Sequence, residues 1–287
     1  MGGWEASENL SFSNAMATQG ISLHLGLNRV DPVHYAGWDG ALTACEFDAN
    51  DMRDLAKSRG FKPTVLLTPQ ATSDAVQTAI VEASKKLVAG DIFFLSYSGH
   101  GGQVPDRNKD EPDGQDETWV LYDRELVDDE LWALWAKFKA GVRILVLSDS
   151  CHSGSVTRAM PPRPGSDPGW ARVGRLMPPA QALKVYRKHK KLYDGIQKVV
   201  PAGDKAVVKA SVILISGCQD NQLSLDGKRN GLFTETLKKV WKKGAFKGSY
   251  RRFRDTIVQK MPPDQTPRYS LVGKVNPAFE AQVPFTL

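Results

Sequence analysis

Two reactive side chains, Cys151 and His100, each follow a short apolar stretch of the sequence. The apolar run ILVL precedes the polar segment SDSCHSGS, which contains Cys151. In the same way, the apolar stretch DIFFLSYS runs into the glycine-rich segment GHGG, which contains His100. Such runs indicate buried strands that lead into loops. If the two strands are neighbours in a parallel sheet, both side chains reach its carboxyl edge, where ligands bind in open α/β sheets.

A cysteine beside a histidine is the unit of thiol-based nucleophilic catalysis, because the histidine can take the proton of the thiol. His152 is a rival base, but it directly follows Cys151 and its side chain should point elsewhere. The glycines around both segments would let backbone N–H groups approach a substrate and stabilise an oxyanion. The alternative is an inert thiol, since free cysteine is among the most buried residue types.

Length and composition indicate a globular protein without a membrane span or a disulfide framework. The chain has 287 residues, 41% of them apolar, which suits one large or two small domains. No apolar run approaches the roughly 20 residues of a spanning helix, and the first residues do not resemble a signal peptide. Ala6 argues against myristoylation of Gly2. Three scattered cysteines indicate a reducing compartment, so we expect a cytoplasmic protein with no membrane partner.

Apolar periodicity predicts strands and helices that alternate along the chain. The predicted strands cover about 21–28, 65–67, 91–98, 119–122, 143–147, 211–215 and 269–272. The predicted helices cover about 46–58, 73–87, 128–138, 179–193, 231–241 and 249–260. Phe47 is expected to face inward, and Ser73 and Asp128 are the predicted N-caps of two helices. Continuously apolar strands between helices predict an α/β fold, with a mostly parallel sheet covered on both faces.

One segment carries most of the positive charge. Residues 156–205 contain 11 Lys and Arg residues against 3 Asp and Glu residues, so the rest of the chain is close to neutral. The segment is rich in Pro and Gly and has few aromatic residues, which indicates a solvated, mobile loop. A patch that binds nucleic acid is the alternative, and a steep salt dependence of binding would support it.

Several motifs together resemble the caspase-like cysteine peptidases, and among them the metacaspases and their bacterial relatives, the orthocaspases. The motifs are YSGHGG, DSCHSGS, ACEFDANDM, DEPDGQDE with LVDDE, and ISGCQDNQLSLD. The resemblance extends from Ile21 to Val272. It implies a single caspase-like α/β domain at residues 20–287, after a disordered leader at residues 1–19. The domain is expected to contain a large-subunit part (20–155), a basic linker (156–205) and a small-subunit part (206–287).

The resemblance also implies roles for individual residues. Cys151 would be the nucleophile and His100 the base, with the backbone amides of Gly101 and Cys151 as oxyanion donors. The residues implied for the primary specificity pocket are Asp149, Asp48, Cys45 and Ser98. Buried carboxylates beside hydroxyl and thiol groups suit a guanidinium or an ammonium group, so cleavage after Arg or Lys is expected. Caspases that cleave after Asp carry a QACRG motif, which this sequence lacks.

Without the resemblance, some of these residues have simpler explanations. The position of Asp48 is typical of a carboxylate on a helix surface. The position of Cys45 is typical of a small core residue. A cysteine phosphatase would need Arg as the sixth residue after the nucleophile, but that residue is Thr157, and Arg158 is the seventh. A caspase-like scaffold without activity is a further alternative, although both reactive side chains are present.

An acidic segment is the candidate metal site. Carboxylate oxygens suit a hard cation such as calcium, and they occur here at Asp106, Asp110, Glu111, Asp113, Asp116, Glu117, Asp128 and Asp129. The resemblance implies activating calcium, with Asp113, Asp116, Asp128 and Asp129 as the candidate ligands. The family pattern also has an Asp shortly after the catalytic cysteine, whereas residues 155–159 (SVTRA) contain no carboxylate.

The basic linker predicts self-processing. An enzyme that cleaves after Arg or Lys carries its own preferred residues in a segment that we expect to be exposed to proteolysis. The residues concerned are Arg158, Arg163, Arg172, Arg175 and the cluster Arg187-Lys188-His189-Lys190-Lys191. The alternative is that the charge only keeps the loop solvated. We therefore expect a monomeric cysteine endopeptidase that acts on protein or peptide substrates with Arg or Lys before the cut bond, and no nucleic-acid partner.

Overall fold

A computed structural model of the protein describes residues 17–109, 111, 113–151, 173–200, 206–219 and 222–287. The strands are β1 (Gly20–Gly26), β2 (Lys62–Leu67), β3 (Ile92–Ser98), β4 (Gly101–Pro105), β5 (Gln115–Val120), β6 (Glu125–Val127), β7 (Arg143–Asp149), β8 (Ser211–Ser216) and β9 (Arg268–Gly273). The α-helices are α1 (Cys45–Ser58), α2 (Ser73–Lys86), α3 (Asp128–Trp135), α4 (Pro179–Lys188), α5 (Lys190–Val199), α6 (Leu232–Trp241), α7 (Tyr250–Val258) and α8 (Pro277–Ala281).

Six of the strands form one mixed sheet at the centre of the protein. Their order is β2-β1-β3-β7-β8-β9, and every neighbouring pair is parallel except β8 and β9. The mostly parallel α/β sheet predicted from the sequence is therefore confirmed. Because side chains alternate across a strand, β3 contributes Phe93 and Leu95 to the core on one face and Ile92 and Phe94 to the core on the other.

Helices cover both faces of the sheet. Val76 of α2 and Leu134 of α3 belong to the first core, while Met52 of α1, Leu237 of α6 and Phe253 of α7 belong to the second. Apolar residues at helical spacing therefore mark the buried side of these helices, as predicted, with the exception of Phe47 on α1. Among the described residues, no helix is long and apolar enough to span a bilayer.

A small antiparallel sheet of β4, β5 and β6 lies beside the carboxyl edge of the main sheet. The sequence predicted only a loop between the GHGG segment and residue 117, with a strand at 119–122. The structure instead pairs Gly101 with Trp119 and Pro105 with Gln115. The sequence did not predict these strands because neither segment has the strong apolar alternation of a strand. They form strands only when they pair with each other in the folded protein.

Several local predictions need correction. The side of α1 that carries Phe47 faces solvent, and this residue is 49% exposed. Thr72 is the N-cap of α2, because its side chain accepts a hydrogen bond from the amide of Ala75, while the Ser73 hydroxyl donates to Asp123. The helix predicted at 179–193 consists of two helices, α4 and α5, that meet at His189.

The described part of the basic linker is packed against the body, contrary to the prediction of a solvated loop. Val185, Tyr186 and Tyr193 of α4 and α5 form a third apolar core with Tyr35 and Val104. The Lys and Arg residues of these helices lie on their exposed side, so composition indicated the charge of the segment but not its buried face. The predicted leader falls largely on residues 1–16, outside the described residues.

Candidate active site

The register of the two central strands brings Cys151 and His100 to the same edge of the sheet. Ser98, the last residue of β3, pairs with Asp149, the last residue of β7. Cys151 and His100 each lie two residues beyond these paired strand ends. This arrangement is the convergence expected from the sequence, and it follows directly from the parallel pairing of β3 and β7.

The imidazole of His100 is held in one tautomer by the backbone. Its Nε2–H donates to the carbonyl oxygen of Gly40 at 3.1 Å, and Nδ1 is buried without a hydrogen-bond partner among the described residues. Burial lowers the pKa of His100 to about 4, so the ring is neutral at pH 7. A neutral imidazole with one unprotonated nitrogen can act as a base.

The thiol of Cys151 is fully buried and contacts the backbone of the loop after β8. The amide of Ser224 donates to Sγ at 2.8 Å. Gly101 lies directly against the Cys151 backbone, since a Cβ on Gly101 would stand 1.4 Å from the Cys151 carbonyl oxygen. Only glycine allows this approach. His152 lies outside the described residues.

A peptide carbonyl of the protein's own linker lies between the two predicted oxyanion donors. The amides of Gly101 and Cys151 both donate to the carbonyl oxygen of Arg175, at 2.9 and 3.1 Å. The amide of Arg175 donates to the carbonyl oxygen of Ser224 at 2.9 Å. Bridges also join Gly174 to Leu225 and Leu176 to Gly101. The segment around Arg175 therefore lies across the cysteine as an extended peptide.

The side chain of Arg175 enters a pocket that holds three carboxylates. It is fully buried, and its Nη2 lies 2.7 Å from Asp48 and 2.9 Å from Asp226. Its Nη1 lies 2.9 Å from a carboxylate oxygen of Asp149 and 2.9 Å from the hydroxyl of Ser98. These contacts use both ends of the guanidinium fork, which is the geometry that gives Arg its preference for carboxylates.

The first turn of α6 stabilises two of these carboxylates from behind. The amide of Gly231 donates to Asp48 at 3.1 Å, and the amide and hydroxyl of Thr234 donate to Asp149 at 3.2 and 2.8 Å. Asn230 donates to Asp48 at 2.8 Å. The N-terminus of a helix favours negative charge, so α6 supports ionised carboxylates in a buried position.

The pocket acids differ in how easily they take up a proton. Burial raises the pKa of Asp48 to about 6, even though the Arg175 guanidinium opposes this shift. Burial also raises the pKa of Asp226, but Arg175 and the hydrogen bonds from Thr43 outweigh it and hold the pKa below its usual range. Asp48 is therefore more sensitive to mild acidity than Asp226.

The four residues predicted for the specificity pocket are brought together, with different contacts. Asp48, Asp149 and Ser98 bind the Arg175 side chain directly. Cys45 is fully buried at the start of α1, and burial raises the pKa of its thiol to about 12, which keeps it neutral. This position is also compatible with the simpler explanation that Cys45 is only a small residue of the core.

Sequence reasoning missed Asp226 and Ser224, as well as the residues at the start of α6 that donate to the pocket carboxylates. Asp226 and Ser224 belong to the motif ISGCQDNQLSLD, which follows a strand neighbouring β7. The Ser224 hydroxyl donates to Asp149 at 2.5 Å, and its backbone contacts both Cys151 and Arg175. A carboxylate after the end of a neighbouring strand was the signal that could have pointed to Asp226.

Among the described residues, the acidic segment gathers three carboxylates, of which only Asp128 was one of the four predicted ligands. Oxygens of Glu111, Glu117 and Asp128 lie within 4.8 Å of one another. Burial, followed by the charges of Glu117 and Asp129, raises the pKa of Asp128 to about 8. Of the other predicted ligands, Asp129 accepts a hydrogen bond from Asn108 at 2.6 Å, Asp116 is buried, and Asp113 is exposed and accepts one from Gln115.

The chain is similar to caspase-domain proteins in sequence. The family model described as the caspase domain, Peptidase C14, matches residues 30–285. Metacaspase-1 of Schizosaccharomyces pombe is 30% identical over 238 residues, which are 71% of this chain and 56% of that protein. Metacaspase-1A of Neurospora crassa is 39% identical over 139 residues, 43% of this chain and 31% of that protein. The chain thus covers between about a third and three fifths of the length of these relatives.

Solved structures show the same fold. A protein of Geobacter sulfurreducens is 55% identical, with a TM-score of 0.84 over 93% of this chain and 98% of that one. Caspase-1 of Spodoptera frugiperda is 12% identical, with a TM-score of 0.56 over 89% of this chain and 86% of that one. The second likeness shows the fold alone.

The buried position of Arg175 predicts resistance to trypsin at the Arg175–Leu176 bond. In a Cys151→Ala chain, which removes the thiol, we expect trypsin to spare this bond while it cuts at exposed basic residues. Asp48→Ala in the same background should raise the cutting rate after Arg175 at least about tenfold, since breaking a buried ion pair costs several kcal/mol. Mass spectrometry of timed digests measures the rate.

The matched control for this digest is Asp54→Ala, an exposed carboxylate on the same helix. It should leave the rate at Arg175 unchanged. Equal rates in the Asp48 and Asp54 variants would contradict a segment held in place by the pocket carboxylates.

Proposed function

The chain belongs to the caspase family of cysteine-type endopeptidases, and we propose that it hydrolyses peptide bonds after Arg or Lys through Cys151 and His100. The observation that carries the proposal is the position of its own Arg175, whose side chain fills an acidic pocket while its carbonyl oxygen accepts the amides of Gly101 and Cys151. A substrate in the same place would present its carbonyl carbon beside the nucleophile.

The arrangement supports the following course of reaction. Neutral His100, whose Nε2–H is fixed on Gly40, takes the thiol proton of Cys151 at Nδ1. The thiolate attacks the carbonyl carbon, and the amides of Gly101 and Cys151 stabilise the oxyanion. The imidazolium then gives its proton to the leaving amine, which leaves a thioester on Cys151. Water, deprotonated by the same imidazole, hydrolyses the thioester.

The pocket favours Arg over Lys, and both over Asp. Arg engages carboxylates at both ends of its fork, with Asp149 at Nη1 and Asp48 and Asp226 at Nη2. The single ammonium group of Lys cannot contact these opposite ends in the same planar geometry. An acidic side chain would face three carboxylates, so repulsion and desolvation both oppose its binding.

The direct test is hydrolysis of fluorogenic peptides with Arg, Lys or Asp before the reporter. We expect the order Arg, Lys, Asp, and a loss of at least about a thousandfold in Cys151→Ala and in His100→Ala, as for other catalytic groups that act as a unit. The matched control is Cys218→Ala, which removes another buried cysteine thiol and should retain activity. Near-normal hydrolysis by the His100 variant would refute its assignment as the base.

We further propose that the protein cleaves itself between Arg175 and Leu176. The sequence predicts cleavage somewhere in residues 158–205. The contacts of Arg175 favour this bond, because the segment lies across Cys151 along the path that a bound substrate would take. Arg175 also competes with any external substrate for the pocket. The pairing of β7 with β8, which lie on opposite sides of the linker, should keep the fragments together.

Incubation of the active chain should therefore produce a fragment that begins at Leu176, whereas the Cys151→Ala chain should stay uncut at this bond. Arg175→Ala should abolish this cut and remove any lag in peptide hydrolysis, because the pocket is no longer occupied. The control is Arg187→Ala, which changes an exposed basic residue on α4. This chain should be cut normally between Arg175 and Leu176. Mass spectrometry identifies the new terminus; fully active enzyme with an intact bond would exclude cleavage as a requirement.

Calcium activation remains part of the proposal, with a revised ligand set. Glu111, Glu117 and Asp128 fit a hard cation, since their oxygens converge and mutual repulsion helps to raise the pKa of Asp128. A bound cation would supply charge neutralisation there and would join β5 to the start of α3. Glu117 lies on β5, which pairs with the strand that begins at Gly101, so the ion would help to order the sheet that carries an oxyanion donor.

We expect calcium to raise the melting temperature by several degrees and to increase peptide hydrolysis. Asp128→Asn and Glu117→Gln should each raise the calcium concentration needed for half of either response by about tenfold or more, since each removes a charged ligand. Asp113→Asn is the control, because this exposed residue lies outside the cluster of converging oxygens. Indifference to calcium and to chelator would leave the acidic segment as a solvated surface.

The compartment and the assembly state remain proposals from the sequence. None of the three buried cysteines forms a disulfide with another described residue, which supports the reducing environment of the cytoplasm. A monomer remains our expectation.

A further inference from the structure

The linker continues its substrate-like course beyond Arg175. The amide of Met177 donates to the carbonyl oxygen of Gly101 at 2.8 Å, and Leu176 forms a parallel bridge with the same glycine. Leu176 is partly exposed, whereas Met177 is only 1% exposed, and both residues border a cavity of about 280 Å³. The second residue after the Arg175–Leu176 bond therefore has an enclosed site, and the first does not.

Gly102 provides the room for the Met177 side chain. A Cβ on Gly102 would lie 3.0 Å from Cε of Met177, 2.8 Å from Oε2 of Glu125 and 2.9 Å from Oγ1 of Thr118. The methyl end of Met177 and the Glu125 carboxyl group thus approach the same point in the structure. A residue larger than glycine at position 102 would narrow this space from the side.

Glu125 places a buried polar group at the end of this space. The residue is fully buried, its Oε2 accepts a hydrogen bond from Thr118 at 2.7 Å, and its Oε1 has no hydrogen-bond partner among the described residues. Burial raises the pKa of Glu125 to about 8, so the group is mostly neutral while the apolar Met177 lies beside it. A buried oxygen without a partner loses free energy that a hydrogen-bond donor would recover.

We propose that this space is a substrate subsite for the second residue after the cut bond, and that it selects a long unbranched side chain, with Lys preferred to Met through Glu125. The inference rests on the proposed peptidase function. Lys has the same unbranched stem as Met and is one atom longer, so its ammonium group reaches the Glu125 carboxyl. A β-branched side chain is too wide near the backbone, and an acidic one would face Glu125.

Quenched fluorescent peptides test the subsite directly. All carry Arg before the cut bond and Leu after it, and they differ only in the next residue, which is Lys, Met, Val or Asp. Using the self-processed full chain, we expect kcat/KM for Lys to exceed that for Met about three- to tenfold, as for a charge-assisted hydrogen bond. Val and Asp should each be at least about tenfold poorer than Met.

The Glu125→Gln variant tests whether Glu125 causes the preference for Lys over Met. This variant should bring the Lys-to-Met ratio close to one and keep the preference of Met over Val. Glu130→Gln is the matched control, because Glu130 is a neighbouring buried carboxylate that pairs with Arg124 instead, and it should preserve the Lys advantage. Ratios within one variant are unaffected by a change in the amount of folded enzyme.

The outcomes separate this inference from the proposed function. Failure to cut any of the Arg peptides would overturn the peptidase proposal itself. Peptides that are all cut with the same kcat/KM would overturn the subsite and leave the preference for Arg intact. A Lys advantage that survives in Glu125→Gln would overturn the role of Glu125.

Discussion

The site depends on the burial of one guanidinium among three carboxylates. Ionised groups lose several kcal/mol of hydration when they leave water, so they persist inside a protein only when they are paired and hydrogen-bonded. Asp48 comes from α1, Asp149 from the end of β7 and Asp226 from the loop after β8. Arg175 therefore connects three distant parts of the chain, and the same contacts hold its carbonyl group over Cys151.

The parallel sheet makes this convergence possible. Because β3, β7 and β8 are neighbours in one direction, their carboxyl ends deliver His100, Cys151 and the Ser224 loop to a single edge. Glycine at position 101 then lets β4 approach the Cys151 backbone more closely than any side chain would permit. The small sheet that begins there extends past Cys151, and Met177 lies against its first residue.

The linker belongs structurally to the site and to the core. Its residues 173–177 lie across Cys151 as an extended peptide, while α4 and α5 pack Val185 and Tyr193 against the small sheet. Positive charge on the outer side and apolar residues on the inner side are the pattern of an amphipathic helix. Average composition hides that pattern, because it counts residues without regard to the side of the helix on which they lie.

The sequence alone determined the central sheet and its covering helices, and it identified Cys151 and His100 as the candidate reactive pair. Apolar runs report on burial within a single element, and they predicted strands ending near Ser98 and Leu147, with His100 and Cys151 just beyond them. The pairing of β3 with β7 then brings both residues to one edge of the sheet. Resemblance to a family added Asp48, which its helical position would not distinguish from a surface carboxylate. The tertiary structure alone decided that Asp226 completes the pocket, that Glu111 and Glu117 join Asp128, and that Arg175 occupies the site. These contacts join residues far apart in the chain, and local periodicity carries no information about which distant segment fills a given space.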